Sequence, residues 1–386
     1  RAEQARTYSP GSLRPETARA LYGAELHFSS SRIDVLAGCR FAHFLQYGLR
    51  AQEREPAEFD SRFYGTFVLE HVVQQTEREG GFAAVPRSRV QELAQERMEQ
   101  NAQTLLETFP DSGRTGYLLR RTFDEVTQVV DELYDELSVS AFRPEFCELE
   151  FSARGALPGV AFAGERCRGV VEGFVDRVDV WQSGGRPYVR VVDYKTGRKS
   201  FDYTNVLHGR GLQMLLYLFA LVRLGGHLLH GEPLPAGVLY FPARIERVSV
   251  RDRLAQAEIE KERRKQLRRS GVLLNSDPVL EAMEPCGGSP RFLPYTLDKE
   301  GRKTGDLASF AQLAQLERFV FRTVAALGDE LADGRIDPDP CIRDAKDSAC
   351  AFCPYSEVCA GHEQPRWLKK ITAEEFWQTL ERREHG

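Results

Sequence analysis

Lysine is scarce in this 386-residue chain: nine are present, against forty-three arginines. Long apolar runs are missing too. The strongest, Leu212 to Val222, is cut off by Arg223, well short of the roughly 20 residues that cross a bilayer, so no membrane-spanning helix is expected. No Gly-rich phosphate loop is present, and ATP hydrolysis is not expected within the chain. There is no internal repeat, no low-complexity block and no secretory signal. Positive charge is not in excess either. The formal net charge is −5, so a nucleic-acid binder with this balance must concentrate arginine locally. The chain opens on Arg1 without a methionine and is expected to be a fragment or a processed form.

Two short runs carry the most information: Gly173-Phe174-Val175-Asp176-Arg177-Val178-Asp179 and Asp193-Tyr194-Lys195-Thr196-Gly197. Between them, Trp181-Gln182-Ser183-Gly184-Gly185-Arg186-Pro187 reads as the turn of a β-hairpin. Closing the hairpin at Gly184-Gly185 puts Asp176 directly opposite Asp193. Side chains alternate along a strand, so Lys195 shares their face, with Val178, Val180, Val189 and Val191. Cross-strand Cβ atoms lie roughly 4.5–5.5 Å apart, where like charges repel, and an apolar surround makes two bare carboxylates costlier still. A divalent cation removes the conflict. Mg²⁺ takes carboxylate oxygens, polarises a phosphate and activates a bound water, while a lysine stabilises the developing oxyanion. Asp176, Asp193 and Lys195 therefore read as a metal-dependent phosphodiester site; an exposed hairpin with an Asp–Lys surface pair is the plainer alternative.

Downstream, Leu212 to Val222 reads as an apolar helix ending before Gly225-Gly226, with Gln213 and Tyr217 on one face. Upstream, Gly65 to Val73 reads as a helix with Phe63, Phe67 and His71 at four-residue spacing, and Glu70 as a surface residue. Leu118 to Leu137 reads as a long amphipathic helix burying Phe123, Val126, Val129, Val130 and Leu133. Glu258 to Arg269 has a basic second half and reads as a solvated helix that could meet nucleic acid. The stretch after Gln364 is polar and reads as a docking helix.

Cysteine placement is the second strong signal. Cys350, Cys353 and Cys359 form a compact triplet behind a proline-rich lead-in, Ile336 to Pro340, and Cys39 lies far upstream. A four-cysteine zinc site and a 4Fe–4S cluster both suit this spacing. A disulfide framework is not expected in a chain of this size and hydrophobic content. Cys341 lies just outside the triplet, and Cys147, Cys167 and Cys286 read as buried small hydrophobes.

Asp176 followed by Asp193-Tyr194-Lys195 after a short hairpin resembles the PD-(D/E)xK signature of RecB-like nucleases. The resemblance implies an α/β fold with a restriction-endonuclease-like core, a mixed sheet flanked by helices. It implies metal ligation by Asp176, Asp193, the Tyr194 carbonyl and His71, with Gln213 and Tyr217 supporting the active site and the DNA backbone. The run Ser31 to Leu49 around Cys39, with the triplet, resembles the AddB-type branch, whose four cysteines (here Cys39, Cys350, Cys353 and Cys359) hold a 4Fe–4S cluster joining the N- and C-terminal segments. Arg40 departs from the proline usual there. The resemblance covers the chain from Leu13 to beyond Cys359. It implies a single large domain over 1–386: lead-in 1–27, first cluster-ligand segment 28–60, nuclease core with insertions 61–335, triplet 336–363 and tail 364–386.

The activity implied is Mg²⁺-dependent DNA exonuclease action with an AddA helicase–nuclease partner. It would act on single strands and double-strand ends for recombinational repair, cutting the 5′-terminated strand, in the bacterial cytoplasm at the nucleoid. Two other classes stand beside it: a free-standing Fe–S single-strand exonuclease of the CRISPR-associated type, and a non-catalytic DNA-binding scaffold. Length argues against the first, and the intact Asp176, Asp193 and Lys195 argue against the second.

Overall fold

The computed structural model describes residues 11–51, 61–108, 113–197, 200–245, 256–359 and 365–385; side chains within 61–65, 104–108, 113–120 and 256–257 and that of His385 are outside the description, Phe63 among them. Helix α1 (Pro15–Tyr22), strand β1 (Leu26–Ser29), helices α2 (Ser30–Gly38) and α3 (Arg40–His43) and a π turn lead in. Three long helices follow: α4 (Ser61–Arg78), α5 (Arg87–Thr108) and α6 (Gly113–Leu137). Strands β2 (Arg143–Phe151), β3 (Val160–Ala163), β4 (Arg168–Ser183) and β5 (Arg186–Lys195) then come in succession. After them run α7 (Tyr203–Leu207), α8 (Gln213–Leu224), β6 (Leu234–Pro242), α9 (Gln256–Leu267), β7 (Ser270–Leu274) and α10 (Asp277–Met283). Short strands β8 (Tyr295–Leu297), β9 (Lys303–Gly305) and β10 (Leu307–Ala308) precede α11 (Phe310–Ala332), β11 (Cys341–Ile342), β12 (Arg366–Trp367) and α12 (Ala373–His385).

The main sheet has the order β1-β4-β5-β6-β7-β10, with β2 and β3 also pairing with β4. It is mixed: β1–β4, β5–β6 and β7–β10 are parallel, and β2–β4, β3–β4, β4–β5 and β6–β7 antiparallel. This is the mixed sheet flanked by helices that the motif implied. The hairpin has the expected register. Ser183 pairs with Arg186 and Arg177 with Val192, and the two turn glycines have φ of +58° and +76°. Two successive positive φ angles make a type I′ turn, whose twist matches the strands it joins and which glycine adopts freely.

The amphipathic patterns are realised where expected. Val126, Val129, Val130 and Leu133 of α6 are buried, and Met214 to Leu221 of α8 are buried throughout. The polar tail is more structured than its composition suggests. Helix α12 seats Phe376, Trp377 and Leu380 in the core, so the docking surface of this helix is the chain itself. The basic run after Glu258 also needs correction: α9 ends at Leu267, which is buried, and Arg269 is buried completely.

Arg269 belongs to a feature that strand alternation hid. On the hairpin face away from Asp176 and Asp193, Arg177 and Arg190 are fully buried with Asp179. Asp179 takes Arg177 Nε and Arg190 Nε at 2.8 Å each. Glu136 of α6 takes Arg190 at 3.1 Å and Arg269 at 2.6 Å. Burial alone would raise the Glu136 carboxyl, but Arg269, Arg190 and Arg177 overrule it and bring its pKa down to about 2. Removing one member of a buried ion network leaves uncompensated charge, at about 3–5 kcal/mol. Glu136→Ala is accordingly expected to lower the unfolding free energy by about that amount, read by urea denaturation; a loss under about 1 kcal/mol would mean that the network is solvated.

Candidate functional site

Asp176 and Asp193 face each other one step beyond the last paired rung of the β4–β5 ladder, Arg177 with Val192. Val178, Val189 and Val191 on the same face are buried, and Asp193 itself is only 4 % exposed. The Asp176 Oδ2 atom accepts the Tyr194 backbone N–H at 2.8 Å. The Lys195 ammonium touches the Asp193 carboxylate. Burial, then the Asp193 charge, raise the Asp176 carboxyl to about 6, against the pull of the Tyr194 N–H and Lys195. The side chain of Tyr194 points to the other face, where its hydroxyl accepts from Arg177 Nη1 at 3.0 Å and its ring meets Phe241 edge-on. The buried ion network thus holds the residue between Asp193 and Lys195 from behind.

Two further carboxylates join this group. Glu148 lies opposite Asp176 on the other side of β4, between the pairs Cys147–Arg177 and Leu149–Val175, and its φ is +52°. Glu70 of α4 shares a hydrogen bond with Glu148, and burial, followed by Glu148 and Asp176, raises its carboxyl to about 7. This corrects one reading of that helix. Glu70 is not a free surface residue. His71 keeps other company: burial, then Arg97 and Arg78, lower its pKa, with Glu96 opposing. From this helix the structure brings Glu70 to the aspartates.

Tyr217 of α8 is buried, with its hydroxyl hydrogen-bonded to the side chains of Ser30 and Gln213 and within reach of the Asp176 and Asp193 charges. Its ring stacks on Phe151 at 5.6 Å. A Cβ placed on Gly173 would come within 2.1 Å of the Tyr217 hydroxyl, so this close approach requires glycine at the start of the Asp176 run. Asp34, on α2, accepts the Gly211 N–H at 2.7 Å just before α8, a helix-entry contact that spacing gave no sign of.

The four cysteines also converge. Cys39, Cys350, Cys353 and Cys359 line one cavity of about 70 Å³, together with Phe41 and Tyr355. Burial raises the Cys39 thiol to about 11, with Asp339 and Cys359 adding to it against backbone N–H groups. Cys350 is raised by burial, then by Cys353 and Cys359, while Ser348 opposes. Four thiols lining one cavity suit a cationic group, which holds its ligands as thiolates. Cys341 turns away and donates to the Ala37 carbonyl. Of the other three, Cys147 and Cys167 pack against the core, but Cys286 does not. Arg40, in place of the usual proline, is buried and ties the Cys39 segment down: its guanidinium holds Glu330 at 2.6 Å and Asp339 at 3.1 Å, and its N–H meets Asp339 at 3.1 Å.

Among the described residues no group of three or more His, Cys, Asp or Glu side chains is preassembled to hold a metal ion. Asp176 is turned to a backbone N–H and Asp193 to Lys195. The donor sets nonetheless fit by chemistry: crowded carboxylates with raised pKa values for a hard divalent cation, and four thiols around one cavity for a soft group. Among the described residues, no helix is long and apolar enough to cross a membrane.

The chain matches the family model described as the PD-(D/E)XK nuclease superfamily over residues 27–360. It is similar to the B-type subunit of the ATP-dependent helicase/deoxyribonuclease of Moorella thermoacetica, 34% identical over 357 residues, 90% of this chain and 31% of the relative. The protein of the same name from Desulforudis audaxviator is 31% identical over 384 residues, 95% of this chain and 33% of the relative. That of Caldanaerobacter subterraneus is 31% identical over 366 residues, 89% and 30%. The chain spans about a third of the length of the curated relatives it matches. The hairpin, its two aspartates and its lysine all fall within the matched span, and the chain belongs to the PD-(D/E)XK nuclease superfamily.

Proposed function

We propose that this chain is the nuclease region of a DNA-end-processing helicase–nuclease, hydrolysing phosphodiester bonds with Mg²⁺. The observation that carries the proposal is the opposition of two aspartates across the β4–β5 hairpin, Asp193 buried and Asp176 half-buried, with Lys195 against Asp193. When bound, Mg²⁺ supplies a polarised phosphate and an activated water. Asp176, Asp193 and the Tyr194 carbonyl are its holders in this reading. Lys195 leaves Asp193 for the phosphate oxygen on which negative charge develops. Gln213 and Tyr217 steady the aspartates, and the Glu70–Glu148 pair stores a proton at the edge of the site.

The setting comes from the relatives, whose names describe subunits of an ATP-dependent helicase/deoxyribonuclease. In this reading an AddA partner separates the strands, since this chain has no phosphate-binding loop of its own, and the 5′-terminated strand at a double-strand break is degraded for homologous recombination in the cytoplasm, at the nucleoid. Cys39, Cys350, Cys353 and Cys359 hold a 4Fe–4S cluster, and His71 is a further metal ligand in this reading.

Replacing Asp193 or Lys195 with alanine is expected to lower Mg²⁺-dependent cleavage by roughly 10²–10³-fold or more, with DNA affinity nearly unchanged because phosphate contacts carry binding. Asp193→Ala cutting at near wild-type rate would sink the assignment.

The raised carboxyls set a pH dependence. A carboxyl whose pKa is higher folded than unfolded stabilises the fold at low pH, and that contribution disappears as pH rises through the folded value. Asp176 at about 6 and Glu70 at about 7 therefore weigh against the metal-free protein above neutrality. Mg²⁺ is expected to raise Tm more at a pH about one unit above these values than one unit below, and Asp193→Asn to abolish the rise. A pH-independent Mg²⁺ effect in thermal scans would place the ion elsewhere.

Joining Cys39 to the triplet closes a loop of about 310 residues, worth about 5–6 kcal/mol on the loop-entropy relation. Cys350→Ala is expected to lose the brown colour and a large part of Tm, whereas Cys341→Ala keeps the colour. Iron and sulfide analysis of anaerobically purified protein is the direct measurement; zinc without sulfide would overturn the cluster and leave the nuclease reading in place.

A further inference from the structure

Beside Lys195 lies a cleft of about 430 Å³ that the chemistry above does not use, lined by Lys195, Tyr240, Arg244, Glu262, Lys265 and Arg268 among others. Four cations against one carboxylate is a local excess in a chain of net charge −5. One wall of the cleft is a face of α9, on which Lys265 is the cation. Glu262, Lys265 and Gln266 follow helical i, i+3, i+4 spacing and line the cleft. Arg263 and Arg264 do not line it; both pair with Glu260, at 3.8 and 3.4 Å. The basic run thus turns Lys265 to the cleft and keeps Arg263 and Arg264 off it.

The cations of the cleft differ in how they are held. Arg268 is fixed, its Nε on the Leu293 carbonyl at 3.1 Å and its other arm on that of Tyr295. Among the described residues, Arg244 and Lys265 make long pairs, with Glu125 and Glu262, at 3.6 Å each. Such pairs contribute little to stability and yield readily to a stronger anion. The volume falls within the roughly 300–1,000 Å³ of ordinary ligand sites, room for a nucleotide unit of one strand and too little for a duplex.

We propose that this cleft is a strand-binding subsite, taking the sugar–phosphate backbone of the nucleotides that adjoin the scissile phosphate of single-stranded DNA, with Lys265 and Arg244 on successive phosphates. Lys195, shared between cleft and hairpin, joins the two. The proposal rests on the nuclease reading and deepens it by naming the residues that hold the strand beside the hairpin.

The test uses the full-length protein that carries this chain, without divalent cation so that nothing is cut. Binding of oligothymidylates of about 5 and about 30 nucleotides, bracketing the usual single-strand site sizes of roughly 4–16, is titrated at several salt concentrations. Each phosphate contact adds roughly 0.7 to the slope of log K against log salt on a single strand. Lys265→Ala is expected to lower that slope by about 0.7 on both lengths, and the double variant with Arg244→Ala by about twice as much. Lys265→Arg should restore it. Arg264→Ala is the matched control on the other face and should leave the slope unchanged on the short strand. Equal slopes for Lys265→Ala and Arg264→Ala would overturn the proposal, as would a Lys265→Ala effect as large on blunt duplex as on single strands. Neither outcome touches the nuclease reading, which stands or falls with cleavage by Asp193→Ala in Mg²⁺.

Discussion

The β4–β5 hairpin is charged on both faces while sitting in the middle of a buried sheet, and the rest of the molecule is arranged around that constraint. One face presents Asp176, Asp193 and Lys195, and the other Arg177, Asp179 and Arg190. Buried charge is tolerated only when paired and hydrogen-bonded. The second face meets the requirement within the protein, through Glu136 from α6 and Arg269 from the end of α9. The first face does not: it gathers Glu70 and Glu148 as well, and carboxyls there titrate near neutrality. The balanced side is scaffold, and the unbalanced side is the one on which the proposed chemistry rests. Tyr194 joins them, its backbone N–H serving Asp176 and its hydroxyl serving Arg177.

The same logic of compensated burial runs through the cysteine end. Segments about 300 residues apart in sequence meet because Arg40 and Arg366 are both drawn to Asp339, while Glu330 at the end of α11 takes the second side of Arg40. Arg366 also donates to the Ala37 and Gly38 carbonyls, next to Cys39. The cavity between the four thiols is therefore framed by ion pairs before anything occupies it. A residue that departs from the family at position 40 turns out to supply one of the clamps.

Legibility followed range. The hairpin was legible because two glycines at positive φ fix a two-residue turn, and a two-residue turn fixes every pair along the ladder. Helix α8 was legible because its leucines and its Gln213–Tyr217 stripe are local periodicities. Glu70 was misread as a surface residue because adjacent residues on a helix point about 100° apart, and whether one of them meets the aspartates depends on how α4 is rolled against α5. The hydrogen bond of Glu70 to Glu148 joins two elements far apart in the chain, a pairing that no spacing rule contains. The charge run after Glu258 was misread at its end for a related reason, since Arg269 is neutralised by a glutamate more than a hundred residues earlier.

By itself the sequence determined which residue types could do chemistry and how the local elements present them: two aspartates and a lysine on one hairpin face, a cysteine triplet at compact spacing, a glutamine and a tyrosine one helical turn apart. These follow from strand alternation and helix pitch, which act over a few residues. Only the tertiary structure decided that Cys39 shares a cavity with the triplet, that Glu70 and Glu148 join the aspartates, that Gly173 leaves room for the Tyr217 hydroxyl, and that one face of α9 borders Lys195. Each of these sets the packing of one element against another far from it in the chain. That packing is chosen by burial and charge compensation summed over the whole core, and no local period encodes it.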